Sequence, residues 1–144
     1  MNAFEELLDE AFVHGIDIKE VEPTVPKLRA MYMKVKGKKK IFLPKASTQA
    51  ERTCLLAEEY GHHETGGDRV LRYNNILDWK AESRARRYAH DRLLTPDAIR
   101  IAAQNTDDIY EIAFALNVTV EFLRDAIDCF RARGLWVDEP YDEK

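Results

Sequence analysis

The 144-residue sequence has few cysteines, no long apolar run and no excess of basic residues, and each absence excludes a class of protein. Cys54 and Cys129 are too few and too differently placed for a disulfide framework or a thiolate metal site. No segment approaches the roughly 20 apolar residues of a membrane-spanning helix. With 22 basic against 26 acidic residues, the composition disfavours nucleic-acid binding. Together with an acidic N-terminus unlike a secretion signal, these features predict a cytoplasmic globular protein.

Helical and alternating patterns divide the N-terminal half of the chain. Apolar residues at helical spacing predict a helix over residues 4–12. Residues 28–43 alternate apolar and polar side chains around a glycine, as the two arms of an antiparallel hairpin do. Thr48 and Glu51 have the spacing of a capping box, which predicts a second helix that runs to about residue 63.

The C-terminal half has helical patterns only. Residues 64–78 are mostly polar and lack a clear period, which predicts a long loop before a third helix at about 79–94. Three threonines are predicted to cap three further helices: Thr95, Thr106 and Thr119. The sequence therefore predicts an α+β protein, mostly helical with a small antiparallel sheet. Its core is expected at residues 1–94, followed by a helical extension at 95–144 that ends in a loose acidic tail.

The stretch CLLAEEYGHHETGGD, residues 54–68, is close to the helical motif of zinc peptidases. That motif reads His-Glu-x-x-His, and here Glu58 stands in place of the first histidine, before Glu59 and His62. At 100° per residue, Glu58 and His62 fall within the apolar arc of the helix. His63 falls on another side of the helix and is predicted to point away from this arc.

Glu82 on the third predicted helix also lies in an apolar stripe, among alanines. A carboxylate in such a place needs a group that compensates its desolvation. A cation bound by Glu58, His62 and Glu82 would do so, since catalytic zinc sites use three protein ligands, and Glu59 is spaced to take a proton from water. The alternative is an ordinary charged helix in which Glu82 pairs with Arg86. Spacing alone leaves both interpretations open.

Three stretches resemble the ImmA/IrrE family of metallopeptidases, particularly the short versions carried by prophages and mobile elements: AERTCLLAEEYGHHETGGD, KAESRARRYAHDRLLTPDAI and IYEIAFALNVTVEFLRDAI. The resemblance spans about residues 41–127 and implies a zincin-like metallopeptidase fold. It implies Glu58, His62 and Glu82 as metal ligands and Glu59 as the general base. Zinc is the implied metal, and the oxygen-rich ligand set also suits manganese or iron.

The function implied by this resemblance is the cleavage or antagonism of a helix-turn-helix repressor from a phage or mobile element. A zincin-like fold would also offer an edge strand, here one arm of the 28–43 hairpin, for pairing with an extended substrate.

Two other classes of function compete with a peptidase. One is a metal-bearing interaction protein that binds a repressor without cutting it. The other is a DNA-binding regulator, because residues 108–127 read as helix, short turn and helix. Charge opposes the second alternative, since residues 106–130 contain six acidic residues and one arginine, which phosphate would repel.

Overall fold

The structure is a computed structural model that describes residues 1–22, 30–45, 48–66 and 76–136, with side chains in the last range described from Trp79 onward. Over these residues the chain has an α+β fold with six helices and one three-stranded sheet. The helices are α1 (Ala3–Val13), α2 (Gln49–Thr65), α3 (Ile76–Leu93), α4 (Pro96–Ala102), α5 (Ile109–Leu116) and α6 (Val120–Ala132). The strands are β1 (Ile16–Val21), β2 (Met31–Val35) and β3 (Lys38–Pro44).

The sheet has the order β1-β3-β2, so β3 is its central strand. β2 and β3 form the predicted antiparallel hairpin, which turns at Lys36 and Gly37 with φ angles of 52° and 79°. Two consecutive positive φ angles are typical of a two-residue hairpin turn whose twist matches that of the strands. β1 pairs with β3 in parallel. The prediction of an antiparallel sheet is therefore wrong, because the sheet is mixed and contains β1, a strand that was not predicted.

The helix starts follow the capping pattern of the sequence with one exception. The Thr48–Glu51 capping box is confirmed, and Thr95 and Thr119 cap α4 and α6 as predicted. The prediction for Thr106 is wrong, since the side chain of Asp108 accepts the hydrogen bond from the Tyr110 backbone and caps α5. Thr106 instead accepts a hydrogen bond from the Asp108 backbone, which forms a turn before the helix.

The predicted loop at 64–78 is shorter at both ends than expected. α2 continues to Thr65 and α3 begins at Ile76, and residues 67–75 lie outside the described part of the chain. The acidic tail predicted after residue 136 also falls outside it. In the described residues, no helix combines the length and apolar character needed to cross a membrane.

The chain divides into two compact units, Met1–Ala89 and His90–Lys144. In the first unit, α2 packs against α1, β2 and β3. Fully buried side chains of α1, α2 and the sheet include Leu7, Ala11, Ile41, Leu43, Leu56, Ala57 and Tyr60. Each large side chain of this kind contributes roughly 1.5–3 kcal/mol on burial. In the second unit, Ile99, Leu123 and Phe130 are buried on α4 and α6.

Candidate functional site

Helices α2 and α3 approach each other closely at Gly61. A Cβ atom added to Gly61 would lie 2.6 Å from the backbone oxygen of Ala85, a distance that real Cβ atoms do not adopt. Ala85 is itself buried. The absence of a side chain at residue 61 and the small one at residue 85 therefore allow the two helix backbones to come into contact.

This approach places His62 beside Glu82. Nε2 of His62 lies 3.3 Å from Oε2 of Glu82, with the histidine side chain 4% exposed and the glutamate side chain 43% exposed. Two ligands about 2.0–2.1 Å from a tetrahedral zinc ion lie about 3.3 Å apart, so the separation of these atoms fits a shared metal. The structure thus brings together two of the three residues predicted as ligands.

The two preceding glutamates lie on the same helix as His62. Glu58 is half-buried and stands one turn before His62, so its side chain leaves the same face of α2. Glu59 is also half-buried. Convergence of Glu58 with His62 and Glu82 on one cation remains a prediction. The expected apolar stripe of α3 is present at Ala85 and Ala89, both buried.

His63 leaves α2 on a different side from His62, as predicted, and contacts residues of α2, β2 and the end of α1. Its Nε2 lies 3.1 Å from Nδ1 of His14, and its Nδ1 lies 3.5 Å from the hydroxyl of Tyr32. The hydroxyl of Tyr60 lies 2.9 Å from the same His14 nitrogen. Oε2 of Glu64 lies 3.8 Å from that nitrogen. This cluster of polar side chains was not predicted, because nothing in the sequence singles out His14.

Burial and nearby charges shift the pKa values of two side chains in this cluster. Burial lowers the pKa of His63, and the positive charge of Lys39 lowers it further. Burial raises the pKa of Tyr60, and so does Glu64, whose negative charge is close and whose carboxylate accepts a hydrogen bond from the Tyr60 hydroxyl. Both shifts favour the neutral forms of these side chains.

The helix-turn-helix pattern in the second unit corresponds to α5 and α6. Asn117 ends α5 in the left-handed conformation with φ at 58°, and Thr119 caps α6 two residues later. The acidic residues of this segment are all exposed: Asp107, Asp108, Glu111, Glu121, Asp125 and Asp128. Such a surface disfavours contact with a phosphate backbone.

Comparison of the chain with models of protein families, with curated proteins and with solved structures finds no match.

Proposed function

We propose that the protein is a metal-dependent endopeptidase of the ImmA/IrrE type with a zincin-like core. The observation that carries the proposal is the 3.3 Å separation between the imidazole of His62 and the carboxylate of Glu82 on two helices in backbone contact. The metal ligands in this proposal are Glu58, His62 and Glu82, and Glu59 is the general base.

The donor set fits a zinc-class cation. An imidazole nitrogen and carboxylate oxygens are ordinary zinc ligands, and additional oxygen ligands also suit manganese or iron. His62 is buried whereas Glu82 is half exposed, so one side of the pair is closed by protein and the other is open toward solvent. Catalytic metal sites need such an open side for water and substrate.

The chemistry divides between the cation and the chain. A bound divalent cation supplies Lewis acidity, which acidifies water and polarises a substrate carbonyl. Glu59 stands three residues before His62 and takes the proton released from the attacking water. It then returns that proton to the leaving amine as the peptide bond breaks. As ligands, Glu58 and Glu82 would add negative charge and would lower the electrophilicity of the cation relative to a site with two imidazoles.

An extended substrate would pair with an edge of the sheet. Since β3 is central, β2 is the arm of the hairpin that has an edge position in the described sheet, and β1 occupies the opposite edge. Pairing along β2 supplies backbone hydrogen bonds that are independent of substrate sequence. This mode of binding suits an enzyme that cuts a protein segment held in extended form.

The proposed substrate is a helix-turn-helix repressor from a phage or mobile element, on the strength of the family resemblance of residues 41–127. The exposed acidic residues of α5 and α6 favour a protein partner over DNA. A surface of this charge complements the basic DNA-binding face of a repressor.

Two measurements test the proposal. The protein, purified without added metal, is analysed for bound metal as wild type and as the His62→Ala and Glu82→Gln variants. It is also co-expressed with a helix-turn-helix repressor encoded in the same genetic element, and the products are separated on a gel. We expect both substitutions to remove one equivalent of metal, and repressor fragments to form only in the presence of the wild-type protein.

The outcomes separate the peptidase from its alternatives. A complex with the repressor but no fragments would favour a metal-bearing interaction protein over an enzyme. Equal metal content in the wild type and in both variants would contradict the proposal, because His62 and Glu82 would then form an ordinary ion pair.

A further inference from the structure

A second group of metal-binding side chains lies on the other side of α2. One ring nitrogen of His14, one of His63 and a carboxylate oxygen of Glu64 all lie within 4.8 Å of one another. Nδ1 of His14 lies 3.1 Å from Nε2 of His63 and 3.8 Å from Oε2 of Glu64. These distances lie on either side of the roughly 3.3 Å expected between two ligands of a tetrahedral zinc ion.

Nδ1 of His14 lies among more polar atoms than it can hydrogen-bond. Nδ1 of its ring faces three polar atoms, from Tyr60, His63 and Glu64. A neutral imidazole nitrogen carries either one hydrogen or one lone pair, so Nδ1 of His14 cannot form a good hydrogen bond with all three atoms at once. A cation at the centre would accept the lone pairs of both imidazoles and of the carboxylate together.

Two tyrosines are placed to orient these ligands. The Tyr60 hydroxyl donates a hydrogen bond to Glu64 and therefore directs the carboxylate. The Tyr32 hydroxyl lies 3.5 Å from Nδ1 of His63, the ring nitrogen opposite the one that faces His14. The N–H of the second ring nitrogen of a metal-bound histidine commonly donates a hydrogen bond to such a neighbour, which fixes the tautomer that binds the metal.

We propose that His14, His63 and Glu64 bind a divalent transition-metal ion of the zinc class. Two imidazoles select zinc, cobalt, nickel or copper over magnesium and calcium, which prefer all-oxygen sites. The side chains of His14 and Glu64 are 40% and 35% exposed, so the ion is reached from solvent and has room for a water ligand. This site is independent of the function proposed above.

The cation would join two helix ends. His14 is the C-terminal cap of α1, and His63 and Glu64 lie in the last turn of α2. Carbonyl groups at a helix C-terminus favour a positive charge. The ion thereby acts as a clamp at the position where α1 ends and the chain turns into β1.

Metal stoichiometry tests the site directly. Zinc chloride is titrated calorimetrically into the metal-free wild-type protein and into the His14→Gln and Glu64→Gln variants, with Asp9→Asn as an exposed control on α1. We expect either variant to lose one equivalent of zinc or to bind zinc at one site more than about 100-fold more weakly. Loss of a residue that only hydrogen-bonds a metal ligand already weakens binding about 10–100-fold, and loss of the ligand itself should cost more. Asp9→Asn should bind as the wild type does, and magnesium chloride should give no competing signal.

The same titration separates this site from the one at His62. His62→Ala should leave the binding lost in His14→Gln intact, and the double variant should bind no zinc. If the proposed function is wrong and this inference is right, the wild type binds one equivalent of zinc, which His14→Gln removes and His62→Ala does not.

Histidine NMR of the wild-type protein provides a test that needs no variant. Without metal, a hydrogen on His14 Nδ1 is expected to be shared between Tyr60 and His63. With zinc, long-range ¹H–¹⁵N spectra should show His14 with its hydrogen on Nε2 and His63 with its hydrogen on Nδ1. Unchanged tautomers at saturating zinc, or a full zinc complement in both His14→Gln and Glu64→Gln, would overturn the inference.

Removal of a positive charge near the site should strengthen zinc binding. Lys39 acts electrostatically on His63 and opposes a bound cation. Lys39→Gln should therefore tighten zinc binding by about 2–5-fold, the range of one partly exposed charge interaction. Weaker binding in this variant would contradict a cation at His63.

Discussion

His62 and His63 are consecutive residues on different sides of α2, and different packing contacts bring each of them to its partner. His62 meets Glu82 because Gly61 and Ala85 allow two helix backbones to touch. His63 meets His14 because α1 ends beside the last turn of α2. The first arrangement depends on one close helix contact, and the second on where a neighbouring helix stops. Each can therefore be disrupted without the other.

The largest expected effect separates chemistry from metal binding on the His62 side. Glu59→Gln preserves the size of the side chain but removes its ability to accept a proton. We expect repressor cleavage to fall by about 10²–10⁴-fold, the usual contribution of a general base. Metal content, measured on the same preparation, should match the wild type. Full cleavage by this variant would remove Glu59 from the mechanism.

A single added methyl group should disrupt the contact between α2 and α3. Gly61→Ala places a Cβ against the Ala85 backbone, and overpacking of this kind costs about 1–3 kcal/mol. Urea unfolding should show this loss. Gly66→Ala is the control, because its Cβ would meet its nearest atom, the His62 oxygen, at an ordinary 3.5 Å. If both variants unfold at the same urea concentration, the close approach of α2 and α3 is incorrect.

A histidine in place of Glu58 should strengthen metal binding at the site that contains His62. In Glu58→His a neutral imidazole replaces a carboxylate, so the cation becomes more electrophilic. We expect zinc to bind at this site about tenfold more tightly, or about 1.4 kcal/mol, with faster cleavage. Glu58→Ala should weaken binding at the same site. Unchanged zinc affinity in both variants, with stability altered by only about 0.5 kcal/mol, would make Glu58 a plain helix residue.

The smallest effect concerns the His63 side alone. Tyr60→Phe removes the hydroxyl that lies 2.9 Å from His14, and a hydrogen bond of this kind contributes about 0.5–1.5 kcal/mol. Thermal or urea unfolding should reveal the loss, while the metal content associated with His62 stays constant. Tyr110→Phe, at an exposed position, should change stability by no more than about 0.5 kcal/mol. Loss of the His62 metal in Tyr60→Phe would show that the two sides are coupled.

Sequence patterns predicted the parts of the fold that depend on local interactions. The Thr48–Glu51 capping box and the hairpin turn at Lys36 and Gly37 are each decided within a few residues. β1 was missed because parallel pairing with β3 leaves no turn signature in the sequence. Thr106 was predicted as the cap of α5 in place of Asp108, since both residue types cap helices and only the backbone geometry distinguishes them.

The same limit applies to the two sides of α2. His62 and Glu82 lie within regular helices, so helical periodicity gives the direction of each side chain. His14 lies just after the last residue of α1, where periodicity no longer gives a direction. Its meeting with His63 depends on how α1 packs against α2, which neither segment encodes by itself.

The sheet order has a consequence for how the chain folds. The β2–β3 pairing closes a two-residue turn, whereas the first parallel pair joins Ile16 to Lys39, 23 residues along the chain. Hairpins form in about 1–10 μs, and a longer closure loses more chain entropy. We therefore expect β2 and β3 to pair first, leaving one edge of β3 open until β1 docks. During that interval the folding chain exposes a strand edge to other chains, and the docking of β1 ends this exposure.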